Sequence, residues 1–444
     1  MITPGYGEAP RPVHPSGRVG RVDRHHGAMA DGSSTGTGSL WHGFADMGAV
    51  TASGPFVVTR GEGARIFDRD GNSYLDATAG LWFTNVGHGR TEIADAVARQ
   101  LGTLAHYSNF GDFASDVTLR LAEELGAIAP VPGSKIFFTS GGSDSIDTAV
   151  KLARRYWVEH GRESKRVVVS RTKAYHGMHA AGTSLAGIPL NHDGYGELMH
   201  DVQNVEWDDA KSLLGLIERV GADNIAAFFC EPIIGAGGIY LPPEGYLAEV
   251  RGICRDHDIL FVVDEVVTGF GRIGGESWFA SARFDLEPDM ITTAKGLTSG
   301  YVPMGAVFIA PRIAEPFFAG GVWWRHGYTY GGHAGAAAAA LTNLEIIRRE
   351  NLLADATRLE GDLAAALSPL ADLDTVAEVR TGLGAVTAVQ LADPATAPAT
   401  VVKLREHGVS TRAAGQGALQ ISPAFVMTTA EVGELADRMR AALS

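Results

Sequence analysis

Thr292-Thr-Ala-Lys295-Gly296 places a lysine at the end of an apolar run that begins at Met290. A lysine is costly there unless its charge is removed or used. Burial depresses its pKa and yields a neutral amine suited to attack a carbonyl and to move a proton. Upstream, Ile259-Leu-Phe-Val-Val-Asp264-Glu265 is a second β-rich run, and it ends in a carboxylate. An ionised, unpaired carboxylate in such surroundings costs on the order of several kcal/mol, so Asp264 calls for a cationic partner. If both runs are parallel strands, Asp264 and Lys295 emerge at one carboxyl edge of a sheet, where α/β folds bind ligands. A buried amine and a buried acid at one edge fit pyridoxal 5'-phosphate. The lysine would hold its aldehyde as a Schiff base and the aspartate would pair with its pyridinium nitrogen. Plainer readings stand beside this one: Lys295 snorkelling out of a sheet edge, and Asp264 closing a turn.

Other residues could complete such a site. Phe137-Phe-Thr-Ser140-Gly-Gly142-Ser143-Asp144 runs from strand through glycine turn to helix start. Backbone amides and the helix dipole there suit a phosphate, although ordinary strand-to-helix loops look the same. Tyr175, in Tyr175-His176-Gly177, follows another strand and offers a ring to stack on a flat cofactor or simply to pack. His176 reads better as a satisfied structural histidine than as an acid or base. Glu231-Pro232 ends a further strand and brings another carboxylate to the same edge. Arg412, in Ser410-Thr-Arg-Ala-Ala-Gly, could clamp a substrate carboxylate in bidentate fashion or lie free in a loop.

These residues need a scaffold of alternating strands and helices. Beyond Gly89 the pattern predicts strands at Lys135–Thr139, Arg166–Ser170, Ile225–Cys230, Ile259–Asp264, Met290–Thr293 and Ala306–Ala310. It predicts helices over Asp144–Tyr156, Leu213–Val220, Leu247–His257, Ala334–Arg349 and Thr429–Leu443. Strands alternating with helices mean an α/β fold with a mainly parallel central sheet. A hairpin is expected to turn at Asp70-Gly71-Asn72. We place a large domain over 90–330, and a smaller α/β domain built from both chain ends, 40–89 and 331–444.

The chain has 444 residues, enough for two or three domains, with 37 basic and 51 acidic side chains and a net charge of −14. No basic stripe interleaved with aromatics stands out, which argues against nucleic acid or an anionic membrane as partner. No stretch approaches the apolar length of a membrane span. Cys230 and Cys254 are the only cysteines and form no Cys-x-x-Cys pair, so a cytoplasmic location is expected. Residues 1–39 lack a signal-peptide pattern and read as a disordered tail. No clustered metal-ligand spacing occurs, and His14, His25 and His26 read as solvated residues of that tail.

Taken in order, Gly-Gly-Ser-Asp, Tyr-His-Gly, Glu-Pro, Asp-Glu-Val, Thr-Ala-Lys-Gly and Tyr328-Thr-Tyr-Gly-Gly-His333 closely resemble the class III aminotransferases. These are pyridoxal-phosphate enzymes of fold type I, and the likeness covers about 40–444. The resemblance implies Lys295 and Asp264 as catalytic residues, and Gly142, Ser143, Tyr175 and Val266 as further cofactor contacts. It implies a homodimer, alone or paired into a tetramer, in which Thr329 reaches the phosphate in the neighbouring subunit. Ala79-Gly-Leu-Trp82-Phe-Thr-Asn-Val-Gly-His88 and the segment Leu404–Thr429 look like the ω-amino acid–pyruvate group. There the tryptophan matching Trp82 lines the substrate pocket. The arginine matching Arg412 is mobile and binds the keto-acid carboxylate, and the glutamate matching Glu231 can pair with it in some relatives. Met178 and Val267 stand where 4-aminobutyrate- and ornithine-type members tend to carry arginine and glutamine. Both tilt the expectation from 2-oxoglutarate towards pyruvate. The implied activity is ping-pong transfer of an amino group from an ω-amino acid or primary amine to a keto acid. The alternatives are a 4-aminobutyrate- or diamine-type transaminase using 2-oxoglutarate, an aminomutase, or a cofactor-binding regulator that has lost catalysis.

Overall fold

The computed structural model describes residues 38–444, so the tail expected over 1–39, with His14, His25 and His26, lies outside the described residues except at its last two positions. The chain up to Val57 is a unit of its own. Its helix Met47–Ser53 is capped by Asp46, whose carboxylate accepts from the amides of Gly48 and Ala49.

From Val58 onward the centre is a seven-stranded sheet. Its spatial order is Lys135–Thr139, Gly305–Ile309, Met290–Thr293, Leu260–Asp264, Ile225–Cys230, Val167–Arg171 and Val202–Val205. Gly305–Ile309 runs antiparallel to both neighbours, and the other neighbouring pairs are parallel. The sheet is buried on both faces, which is why its strands read as continuous apolar runs. Leu260 and Val262 face Ile146, Ala149 and Ala153 of the helix Gly142–Glu159. Phe261 and Val263 face the other way, onto Leu213, Leu216, Val250 and Cys254 of the helices Lys211–Val220 and Tyr246–Asp256. The two-residue alternation of the strand thus divides its side chains between two helical layers.

Two smaller sheets draw on the later chain. Val58–Glu62, Arg65–Asp68 and Ser73–Asp76 form a meander that Val409–Ser410 joins in parallel, so segments far apart in sequence share one sheet. Val376–Arg380, Thr387–Leu391, Ala418–Ile421 and Ala413–Ala414 form the second. The helix Ala334–Arg349 is lined with small buried residues, and a β-carbon at Gly335 would come 3.0 Å from Leu101 of the helix Thr91–Thr103. Among the described residues no helix is long and apolar enough to cross a membrane.

Arg272 ties three of these segments together. It is fully buried, and its guanidinium donates to Asn85 Oδ1 at 2.7 Å and to the carbonyls of Pro423 at 2.5 Å and Ala385 at 3.3 Å. The ring of Phe425 lies 4.8 Å from the guanidinium carbon. No carboxylate pairs with it among the described residues, so neutral acceptors carry a buried charge. Arg272→Met would keep the volume and strand those acceptors. We expect a loss of about 3 kcal/mol, read as a lower urea midpoint, and an unchanged midpoint would contradict this account.

Candidate active site

Asp264 is the last residue of Leu260–Asp264, and across the parallel ladder it stands opposite Thr292. Lys295 follows two residues after Met290–Thr293 ends, so the register delivers both groups to the same carboxyl edge. Asp264 is 6 % exposed and its two oxygens are held separately. His176 Nδ1 donates to Oδ2 at 2.9 Å and the Val266 amide donates to Oδ1 at 3.0 Å. The His176 side chain is fully buried, and its Nε2 has no partner. With Nδ1 carrying the proton, the imidazole locks the carboxylate in place. The structural reading of His176 is therefore the better of the two, and the structure supplies the group it serves.

Lys295 adopts φ +42° at the start of a short turn, a left-handed conformation that turns its side chain off the strand path. Burial pulls its pKa down to about 8, against the opposing pull of Asp264 and Glu231 and with Arg412 adding to the fall. The amine is therefore neutral in a pH range where an ordinary lysine is charged.

Beside this pair the helix Gly142–Glu159 begins without a side-chain cap, leaving its first amides free. A β-carbon at Gly142 would come 3.1 Å from Val266 Cγ1, so glycine is needed where the helix start meets the loop after Asp264. Ser143 Oγ accepts from the Met178 amide at 3.1 Å. Gly177, at φ +92°, lies so close to Ser143 that a β-carbon there would sit 2.5 Å from its Oγ. The Tyr175-His176-Gly177 loop is thereby fastened to the helix start. Tyr175 is half-buried, and burial raises its phenol pKa, with Arg412, Asp264 and Glu231 close enough to act on it. The structure brings together Gly142, Ser143, Tyr175, Asp264, Val266 and Lys295.

Trp82 joins them through a strained turn. Ala79, Gly80 and Trp82 have φ of +45°, +67° and +61°, and for the non-glycine positions this costs on the order of 1–3 kcal/mol each. Asp76 holds the turn: its carboxylate accepts from Thr78 N at 3.2 Å, Thr78 Oγ1 at 3.0 Å and Gly80 N at 2.7 Å, with His88 Nε2 at 2.8 Å. The buried indole ring ends up 5.7 Å from Lys295 Nζ and 4.5 Å from the Arg412 guanidinium carbon. Arg412 is half-buried, burial lowers its pKa, and its Nε donates to Gln420 Oε1 at 2.7 Å.

Glu231 sits differently from what the resemblance allows in some relatives. It is 4 % exposed, and it spends its oxygens on the amides of Tyr175 and Gly235, each at 2.9 Å. In this structure it makes no pair with Arg412. Two backbone donors satisfy it where it lies, and burial pushes its pKa up. Thr329 is exposed, and its carbonyl accepts from His106 Nε2 at 2.8 Å. Its hydroxyl has no hydrogen-bond partner among the described residues.

Sequence reasoning passed over Gln420 and the Asp76–Thr78–His88 brace. Gln420 was open to detection, because a turn at Gly415-Gln-Gly417 sets it across from Arg412. Asp76 carried no local signal beyond closing a hairpin.

Known proteins bear on this geometry directly. The class-III aminotransferase family model matches residues 48–443. A probable aminotransferase of Mycobacterium tuberculosis is 41% identical over 365 residues, covering 78% of this chain and 77% of the relative. A putrescine–pyruvate aminotransferase of Pseudomonas aeruginosa is 37% identical over 424 residues, covering 88% and 91%. An amine transaminase from an uncultivated Pseudomonas species, solved in its PLP-bound form, superposes with a TM-score of 0.86 at 34% identity, covering 91% of this chain and 98% of that one. The chain belongs to the class III aminotransferases: it is an α/β aminotransferase from a family that depends on pyridoxal phosphate.

The residues present fit that cofactor. A depressed-pKa lysine, an anchored carboxylate one strand away and an uncapped helix start provide for its aldehyde, ring nitrogen and phosphate.

Proposed function

We propose that this enzyme moves an amino group from an ω-amino acid or primary amine to pyruvate in two half-reactions, with Lys295 and Asp264 as catalytic residues. Gly142, Ser143, Tyr175, Asp264, Val266 and Lys295 would hold pyridoxal phosphate, with Thr329 contributed across a homodimer. When bound, the cofactor supplies an aldehyde that links to amines and a pyridinium ring that takes up the electron pair of a breaking C–H bond. Lys295 Nζ, its pKa lowered by burial to about 8, takes the proton from the amine-bearing carbon in its neutral form and later returns one in the opposite half-reaction. Asp264, fixed by His176 and Val266, keeps a negative charge where the ring nitrogen must stay protonated. Tyr175 orients the ring, and Trp82 closes the substrate side above Lys295.

The observation that carries the acceptor assignment is Arg412. Its guanidinium sits between Trp82 and Gln420 with no carboxylate partner among the described residues, so its terminal nitrogens are open to a keto-acid carboxylate. Met178 occupies the place where a second distal clamp would be expected, and its amide is already taken by Ser143. A monocarboxylate acceptor suits one arginine. Support for a dimer comes from the half-exposed or exposed aromatics Tyr107, Phe110, Phe113, Trp323 and Tyr330, which flank Thr329 on segments tied together by Asn109 Nδ2 donating to Gly331 O. A cytoplasmic location belongs to the same proposal and rests on the cysteine usage.

Arg412→Ala is expected to raise the KM for pyruvate roughly a hundredfold, while leaving the half-reaction with an arylalkyl amine nearly intact. Equal losses on both would refute the role. Wild-type enzyme should use pyruvate at least about tenfold more efficiently than 2-oxoglutarate. The reverse order would mark a 4-aminobutyrate- or diamine-type enzyme, and turnover with no external acceptor would mark an aminomutase.

A further inference from the structure

Arg412 and Gln420 face each other across the hairpin formed by Ala413–Ala414 and Ala418–Ile421, in which Ala413 is opposite Leu419 and Ala414 opposite Ala418. The turn between them is fixed. Gly415 and Gly417 have φ of +51° and +82°, and a β-carbon at Gly415 would lie 2.1 Å from the Gly237 carbonyl. The register therefore continues outward, and the Gln420 amide donates to the Arg412 carbonyl at 2.9 Å. Residues so placed have β-carbons about 5 Å apart, within reach of one another's side chains.

Gln420 is fully buried and its amide has a forced orientation. Arginine offers donors only, so Gln420 must turn its oxygen to Arg412 Nε, at 2.7 Å. That leaves Nε2 to donate to Ser422 Oγ at 2.7 Å. Thr411 Oγ1 donates to the Gln420 carbonyl at 2.6 Å and steadies the same residue from the backbone side. The Trp82 ring supports the guanidinium 4.5 Å away. One edge of Arg412 is thus engaged by a neutral acceptor, while its two terminal nitrogens have no hydrogen-bond partner among the described residues.

We propose that Gln420 is a positioning residue for keto-acid specificity: it fixes Arg412 through Nε so that the two terminal nitrogens present an end-on fork to a monocarboxylate. This rests on reading Arg412 as the acceptor's anchor. A glutamate at 420 could take the same hydrogen bond but would cancel the charge that the acceptor needs. An amide aims the guanidinium without neutralising it. It also holds the arginine less firmly than an ion pair would, so Arg412 can swing aside for a donor that has no carboxylate.

The test uses the holoenzyme and two readouts: steady-state kinetics, and calorimetric binding of propionate, a monocarboxylate with no carbonyl to react. Gln420→Met, close to isosteric, is expected to raise the KM for pyruvate and weaken propionate binding about tenfold each. The half-reaction with a carboxylate-free arylalkyl amine should change by no more than about twofold, which also shows that the variant is folded. Gln420→Glu should weaken propionate at least as much. In an Arg412→Ala background, Gln420→Met should add almost nothing. Propionate binding within about twofold of wild type in Gln420→Met would overturn the proposal. So would tighter binding in Gln420→Glu, equal losses on amine and keto acid, or a full further loss in the double variant. If Arg412→Ala itself leaves pyruvate and propionate untouched, the anchor reading fails first. If it loses both while Gln420→Met does not, only Gln420's role fails.

Discussion

Lys295→Ala is expected to lose turnover by at least about 10⁴-fold, the upper range for removing a positioned acid–base group, and to yield protein without the visible colour of the covalently held cofactor. Both losses follow from one nitrogen. Asp264 acts on the Lys295 amine, and the depressed pKa of Lys295 comes mainly from its burial at this sheet edge. The same burial sets a pH signature that needs no turnover. Protein stripped of cofactor and mixed with pyridoxal phosphate should gain colour at a rate that follows the neutral amine. Below about pH 8 that rate should rise about tenfold per unit, and above it the rate should level off. An ordinary lysine would keep rising to its usual value of about 10.4. A yellow, active Lys295→Ala protein would end the assignment, and a rate still climbing well above pH 8 would remove the physical reason given for it.

Much of this was legible because the central sheet is buried on both faces. Lys135–Thr139, Ile225–Cys230 and Met290–Thr293 have the predicted bounds, since each is an apolar run closed by a polar residue or a turn. The neighbouring strand was displaced by one residue. Arg166 reads as its start, yet it is exposed and pairs with Asp201, whereas Arg171 is hidden at the other end with its guanidinium on the Glu231 carbonyl. Charge alone does not reveal which arginine a protein buries. Val202–Val205 went unnoticed because Gln203 and Asn204 are exposed at the sheet margin, and an edge strand needs no apolar pattern. The helices Ala334–Arg349 and Thr429–Leu443 were readable to the residue: in the second, Thr428 and Glu431 form a capping box that marks its start.

The site divides along the same line. Asp264 and Lys295 were visible because a strand end carries its own signal. The Trp82 turn was not, because its strain is held by Asp76, whose bonds to Thr78, Gly80 and His88 come from folding rather than from spacing. Glu231 shows the converse case. Its position at the strand end was read correctly, but its partners turned out to be two backbone amides rather than an arginine. A carboxylate at a sheet edge advertises a charge without saying what will satisfy it. Thr329 is exposed on this chain, and its proposed reach to a phosphate across a dimer is a contact that a single chain does not display.

Asp264→Asn separates holding the cofactor from using it. The carboxamide is the same size, can still accept from Val266 N through its oxygen, and leaves Lys295, Ser143 and the helix start as they are. Binding and colour should therefore survive. The negative charge that keeps a pyridine nitrogen protonated is gone, and with it most of the capacity to accept electrons as the C–H bond breaks. A fall in kcat of roughly 10³-fold is expected, with the KM for pyruvate changing far less, because the proposed anchor for that acid is Arg412 and not Asp264. His176 sharpens the expectation. Its Nδ1 proton is aimed at Asp264 Oδ2 at 2.9 Å with the ring fully buried, so in the variant it either donates to a neutral oxygen or, with the proton moved to Nε2, accepts from the amide NH₂, and in both cases it no longer braces a charge. A second substitution, His176→Phe, should then cost little on top of Asp264→Asn, though it would be damaging alone. Stopped-flow measurement of the amine half-reaction in the two single variants and the double decides it. A rate for Asp264→Asn within about tenfold of wild type would mean that the carboxylate is a structural cap, and that the electron-accepting role lies elsewhere.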